Sequence, residues 1–210
     1  MHFPLYLVGA SLAAATATLA NKTSACPPFP SSMVAFSADF KQPLPPLLRP
    51  EFKTSFVQHK WDQYLSHITA GYISNAPAER LVRADQAIDG EISTSTFNYA
   101  NVTKEGFVDN TLTTYSGNST KPDVWRGYVN SNFPLFAADI LVTSEAVFGG
   151  LVQRPFVHGL VASWQIMYQG AIPVTVYVSN CNVMVGYEYF SPDLRTRVIT
   201  NYFNTEVGGA

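Results

Sequence analysis

Charge is scarce in this chain of 210 residues: 13 Lys and Arg stand against 15 Asp and Glu, 13% of the residues, for a formal net charge of −2. With no basic run to neutralise a phosphate backbone, nucleic acid is excluded as a partner. Cysteine is nearly absent. Cys26 and Cys181 are the two present, and neither has a second Cys or a His at metal-ligand spacing, so no zinc or redox centre and no cofactor is expected. Also missing are the G-x-S-x-G elbow, the H-E-x-x-H pair, a glycine-rich phosphate loop and a C-x-x-C motif. Beyond residues 1–20 no apolar run is long enough to cross a bilayer, so no transmembrane segment is expected. Apolar and aromatic residues are what the chain has in quantity, 47% and 13%, with 14 Phe, 11 Tyr and 3 Trp. Such content buries itself in a core and excludes a disordered acidic or basic tail.

Residues 1–20 carry no Asp, Glu, Lys or Arg and end in Thr18, Leu19 and Ala20, small residues at the positions a signal peptidase reads. They read as a secretory signal peptide cut after Ala20, although the leading end offers His2 in place of the usual Lys or Arg. Three Asn-x-Ser/Thr triplets, at Asn21, Asn101 and Asn118, then become candidate glycosylation sites, with Asn21 the poorest because it adjoins the cut. In an oxidising lumen an even cysteine pair is expected to bridge, so Cys26 and Cys181 are assigned a disulfide.

Seven of the 14 prolines fall between Pro27 and Pro50, which forces residues 21–50 into an extended course. Within it Val34, Phe36, Ala38 and Phe40 alternate, predicting a first strand over Met33–Phe40. Residues 51–210 form the sheet domain. From Glu51 to Tyr115 short segments rich in Phe, Tyr, Val, Ile and Thr, punctuated by turn residues, predict an antiparallel meander. Asp89-Gly90 marks a two-residue hairpin turn. Over residues 122–154 two short helices are expected, one at Pro122–Tyr128 and one after Pro134, with Gly149-Gly150 breaking the chain. Three strands follow. Leu160, Ala162, Trp164, Ile166 and Tyr168 share a face of the first, Val174, Val176 and Val178 a face of the second, and the third follows a turn at Asn180–Asn182. The last segment, from Ser191, carries both a helix opening and β-branched strand formers.

Catalytic constellations are thin. Ser163, His158 and Asp139 can be drawn as a triad, but common residues at arbitrary spacing are no evidence without geometry. Asp85, Asp89 and Glu91 flank the predicted hairpin and read as a solvated rim, as does Asp39. Arg80, Arg83, Arg195 and Arg197 are either an anion-binding patch or scattered solubility residues. The aromatic excess is different, because a curved sheet can leave an apolar hollow of the kind that holds small ligands. On that reading Phe97, Tyr99, Trp125, Leu160, Trp164, Ile166, Tyr168 and Tyr177 are the candidate lining.

The stretch from Trp125 through Gly149-Gly150-Leu-Val, His158-Gly-Leu-Val-Ala-Ser-Trp164, Ile172-Pro-Val-Thr-Val-Tyr-Val178 and Gly186-Tyr-Glu-Tyr-Phe-Ser-Pro192 resembles secreted LolA-like and ependymin-related proteins. Ala78-Glu-Arg-Leu-Val-Arg-Ala-Asp85 resembles that group's opening strands. The resemblance implies a mainly β (α+β) fold, a strongly curved, half-barrel-like antiparallel sheet with a few short covering helices. It also implies a secreted, non-enzymatic role holding a lipid or another apolar small molecule. Ependymin-related members carry more disulfides than two cysteines allow. Two other readings stay open: a secreted cell-surface or interaction protein without a ligand, and an extracellular hydrolase or isomerase.

Overall fold

The computed structural model describes residues 26–33, 40–88, 90–116, 121–168 and 170–208. Its strands are β1 (Phe52–Trp61), β2 (Ser66–Ala76), β3 (Leu81–Ile88), β4 (Glu91–Val102), β5 (Val108–Tyr115) and β6 (Asp123–Val129), followed by β7 (Val147–Gln153), β8 (Leu160–Tyr168), β9 (Ile172–Val178), β10 (Met184–Ser191) and β11 (Thr196–Val207). All eleven form one antiparallel sheet in the order β6-β5-β4-β3-β2-β1-β11-β10-β9-β8-β7. Two meanders are therefore stitched together by the pairing of β1 with β11, and the edges β6 and β7 are not paired with each other.

Alternation decides which face is buried. Along β1, Phe52, Thr54, Phe56 and Gln58 are buried and their neighbours less so, the period-2 pattern of a half-covered sheet. Register carries this inner face across the strands. Gln58 pairs with Thr200, Thr200 with Tyr187, Tyr187 with Val176 and Val176 with Trp164, giving one inward row. One step along, Lys60, Val198, Tyr189, Val174 and Ile166 form the next.

The inner face is covered by two irregular segments. The connection from β6 to β7 lays Phe133, Phe136 and Leu141 into the core, with Phe133 against Phe56 and Phe97 at ring separations of 5.2 and 6.0 Å and Phe136 5.4 Å from Tyr187. The Pro-rich N-terminal segment crosses nearby. Asn75 holds both: its Nδ2 donates to the carbonyls of Pro50 (2.7 Å) and Phe136 (2.9 Å), and its Oδ1 accepts from the Phe136 N–H. A disulfide joins Cys26 to Cys181, as expected, and so pins the segment to the β9–β10 turn.

Several expectations are corrected. Pro122–Tyr128 is not helical but contributes the edge strand β6, because Val124, Trp125 and Tyr128 favour extended backbone and β5 supplies the hydrogen bonds. Helix among the described residues is confined to one four-residue turn, α1 (Ile140–Thr143), and a 3-10 turn at Ser31–Met33, so the few covering helices are overstated. Coil covers the sheet instead, because Pro134 and the deep anchoring of Phe133 and Phe136 leave little room for helical turns. Gly149-Gly150 does not break the chain: it is a bulge inside β7, where Gly150 has φ +118° and the register against β8 shifts. The last segment is a strand, β11. Ile88 pairs directly with Glu91, as a two-residue hairpin loop requires, and Gly90 has φ +81°. The strand expected over Met33–Phe40 falls largely on residues 34–39 and the signal peptide on residues 1–20, both outside the described residues.

Candidate functional site

Strand order and side-chain placement together require strong curvature. β4 and β8 are seven places apart in the sheet, about 34 Å if it were flat at ~4.8 Å per strand. Yet Tyr99 from β4 and Tyr168 from β8 line one half-open chamber of about 200 Å³. The sheet curls until its two wings face each other, and the β6–β7 connection runs between them.

Four tyrosines dominate the chamber: Tyr99, Tyr168, Tyr187 and Tyr189. Three are tied to the connection. The Tyr99 hydroxyl donates to the Phe133 carbonyl at 2.6 Å, that of Tyr187 to the Asn132 carbonyl at 2.5 Å, and that of Tyr189 to Asn132 Oδ1 at 3.1 Å. These bonds aim each phenol oxygen at the connection and leave ring faces as wall. Tyr168 makes no side-chain hydrogen bond among the described residues. Burial pushes all four hydroxyls above the usual tyrosine range, Tyr189 up to about 12, so these phenols are uncharged at neutral pH. Val108, Ile172 and Val174 supply the aliphatic part. Among the described residues Lys60 is the one charged residue of the lining, which holds no Asp, Glu or His.

A second hollow, about 340 Å³, lies beneath the Pro-rich segment, between Pro27, Phe29, Leu44 and Pro46 above and Ala162, Trp164 and Val178 below. Trp164 is 1% exposed and its Nε1–H has no partner among the described residues.

The predicted lining residues are thus dispersed. Tyr99 and Tyr168 meet in the tyrosine chamber, and Trp164 borders the second hollow. Phe97 and Ile166 are ordinary core. Leu160, at the head of β8, is 47% exposed. Tyr177 faces the opposite side of the sheet from Val176 and packs with Val161 and Val185; its hydroxyl donates to Glu188 at 2.7 Å and the Arg154 guanidinium lies 3.9 Å from its ring centroid. Trp125 is 45% exposed on β6, its indole lying where a side chain at Gly127 would stand. Lys60, Tyr187 and the Asn130–Pro134 stretch escaped the sequence reading. Lys60 was findable, since Phe52, Thr54, Phe56 and Gln58 put position 60 on the buried face.

Of the residues drawn for catalysis, Asp39 and Asp89 lie outside the described residues. Ser163 donates its hydroxyl to the Gly150 carbonyl at 3.0 Å. Asp85 accepts from Thr94 at 2.7 Å and pairs with Arg83 at 3.0 Å. Among the described residues no three of His, Cys, Asp and Glu gather as a metal site, and no helix is long and apolar enough to cross a membrane. Of the candidate glycosylation sites, Asn101 is exposed on β4, whereas Asn21 and Asn118 lie outside the described residues.

No family model and no curated protein matches the chain. Among solved structures it is similar to a DUF1329 family protein from Desulfovibrio piger, at 10% identity and a TM-score of 0.30, over 75% of this chain and 85% of that one. It is also similar to an outer membrane lipoprotein-sorting protein domain from Vibrio parahaemolyticus, at 7% identity and a TM-score of 0.31, over 77% and 87%. These scores are too low to carry a functional argument, which rests on the chain's own residues.

Proposed function

We propose that this is a secreted, non-enzymatic binding protein that holds a small apolar or amphipathic molecule in the tyrosine chamber. One observation carries the reading: Phe133, Phe136 and their neighbours fill the inner face between the wings except for a chamber of about 200 Å³, and that chamber, unlike the hollow beneath the Pro-rich segment, is walled by tyrosines fixed to the Asn132–Phe133 backbone. Size bounds the guest. A cavity of ~150 Å³ holds benzene and whole-ligand pockets usually span ~300–1,000 Å³, so the guest inside is one ring or a chain of about eight carbons, not an enclosed sterol or two-chain lipid. At about 0.8 kcal/mol per buried methylene, eight contribute about 6 kcal/mol before association costs, which places Kd at tens of micromolar or weaker. The Cys26–Cys181 bridge supports an oxidising compartment.

Native mass spectrometry of the purified protein, followed by calorimetric titration with octanol, tests this. A stoichiometric guest of that size, or octanol binding abolished by Ile172→Trp with the fold intact, supports it. Absence of both refutes it.

A second reading has its own observation. At the β1–β2 hairpin Tyr64 is 88% exposed, Leu65 57% and Ile68 63%, beside a partly exposed Trp61. Clustered apolar exposure outside the chamber fits an interaction protein. Loss of partner capture in Tyr64→Ser with Leu65→Ser, while octanol binding persists, would assign the two surfaces separate roles.

A further inference from the structure

Lys60 continues the inward row of β1, in register with Val198 and through it with Tyr189 and Val174. A residue at that position would ordinarily be apolar or neutral, like Phe52, Thr54, Phe56 and Gln58 before it. Instead Lys60, half-buried, borders a chamber in whose lining no carboxylate stands among the described residues. Among the described residues Lys60 has no salt-bridge partner. Asp62, the nearest acid along the chain, is fully exposed; its Oδ1 accepts from the N–H groups of Tyr64 and Leu65 at 2.9 and 2.8 Å, which with a weaker pull from the Lys60 charge holds its carboxyl below the usual range, but it forms no ion pair with Lys60. The other chamber phenols are spent on the connection, leaving Tyr168 with a hydroxyl free to donate.

We infer that the chamber takes a monoanionic amphiphile, a carboxylate on a chain of about eight carbons or on a single ring, with the carboxylate at Lys60 and the apolar part against the tyrosines. This inference rests on the reading of the chamber as a binding site. A lone ammonium bordering low-dielectric surface discriminates by charge, because an anion compensates it, a neutral head leaves it unpaired and a cation repels it. One cation without an ion pair among the described residues matches one negative charge, and the chamber's volume sets the length of the chain.

Calorimetry on the full secreted chain with octanoate, octanol and octylamine at neutral pH tests both layers. Octanoate should bind at least ten-fold more tightly than octanol, and octylamine more weakly than either. Lys60→Met should erase the gap between acid and alcohol, and Lys60→Arg should retain it, with unchanged thermal midpoints showing that each variant folds. Octanol binding as well as octanoate, or a preference that survives Lys60→Met, overturns the inference while leaving the chamber a binding site. Binding of none of the three overturns the chamber reading and this inference with it.

Discussion

Tyr99 on β4 donates its hydroxyl to the carbonyl of Phe133, 34 residues further on and beyond two more strands. The bond fixes the β6–β7 connection against one wing of the sheet, and the Tyr187 hydroxyl on the carbonyl of the preceding residue, Asn132, fixes it to the other. Tyr99→Phe removes the donor but not the ring. The Phe133 carbonyl still accepts from Ser131 Oγ at 3.2 Å, so the loss should sit near the low end of the range for an orphaned acceptor, about 1 kcal/mol. That corresponds to a fall of ~2–4 °C in midpoint for a domain of this size. Thermal unfolding by circular dichroism measures it.

Phe133 itself is more costly to lose. Its ring is 4% exposed and sits between Phe56 and Phe97, where truncation leaves a cavity that an eleven-strand sheet cannot close by local movement. Phe133→Ala should cost about 3–5 kcal/mol. In urea the midpoint should fall with the slope unchanged. A loss under 1 kcal/mol would mean that the connection is not anchored as described.

Alkaline pH should loosen the same region. Burial raises the hydroxyls of Tyr177 and Tyr189 to about 12, and burial moves Tyr99, Tyr187 and Tyr202 in the same direction. Unfolded tyrosine ionises near pH 10. The native state therefore keeps protons that the unfolded chain gives up, so this part of the stability is complete below about pH 10 and is lost as pH rises through about 12. Urea midpoints at pH about 9 and about 11 should differ, the second lower, with tyrosinate absorbance rising together with unfolding.

Alternation made the sheet legible in advance, because period 2 in Val174, Val176 and Val178 or in Trp164 and Ile166 marks a buried face whatever the neighbours are. The same rule placed Tyr177 opposite its valine neighbours, a consequence that the aromatic count obscured. What lay beyond reach was long-range. That β1 closes on β11, that Tyr99 meets Tyr168, and that Phe133 and Phe136 fill the space between the wings depend on the curl of the whole sheet, which no local window encodes. Trp125 misled for a related reason: Val124 and Trp125 look like buried residues, but β6 is an edge and its ring lies on Gly127 at the surface.

Reduction should destabilise without unmaking the sheet. Cys26 and Cys181 are 155 residues apart, and in the chain-entropy account closing a loop of that length contributes about 5 kcal/mol. Every strand pairing from β1 to β11 lies outside the bond's direct contacts, so the reduced protein should keep its β-sheet circular dichroism while its urea midpoint falls. Cys26→Ser with Cys181→Ser should reproduce the effect, and equal midpoints with and without reductant would show that the Pro-rich segment adds nothing to stability.

Asn101 allows a test of both surface chemistry and compartment. Its side chain is exposed on β4, with Nδ2 donating to Asp109 Oδ2 at 3.1 Å and Oδ1 accepting from the Tyr128 hydroxyl at 3.0 Å. An N-linked glycan replaces one of the two amide hydrogens, leaving the second for Asp109 and the oxygen for Tyr128. The attached site is thus compatible with the contacts around it. Expressed with its own N-terminus in a eukaryotic secretory cell, the protein should reach the medium, lose residues 1–20 and carry a glycan at Asn101 that Asn101→Gln removes as one step in mass. Retention inside the cell with residues 1–20 still attached would refute secretion, whereas secretion without that step would refute only the site.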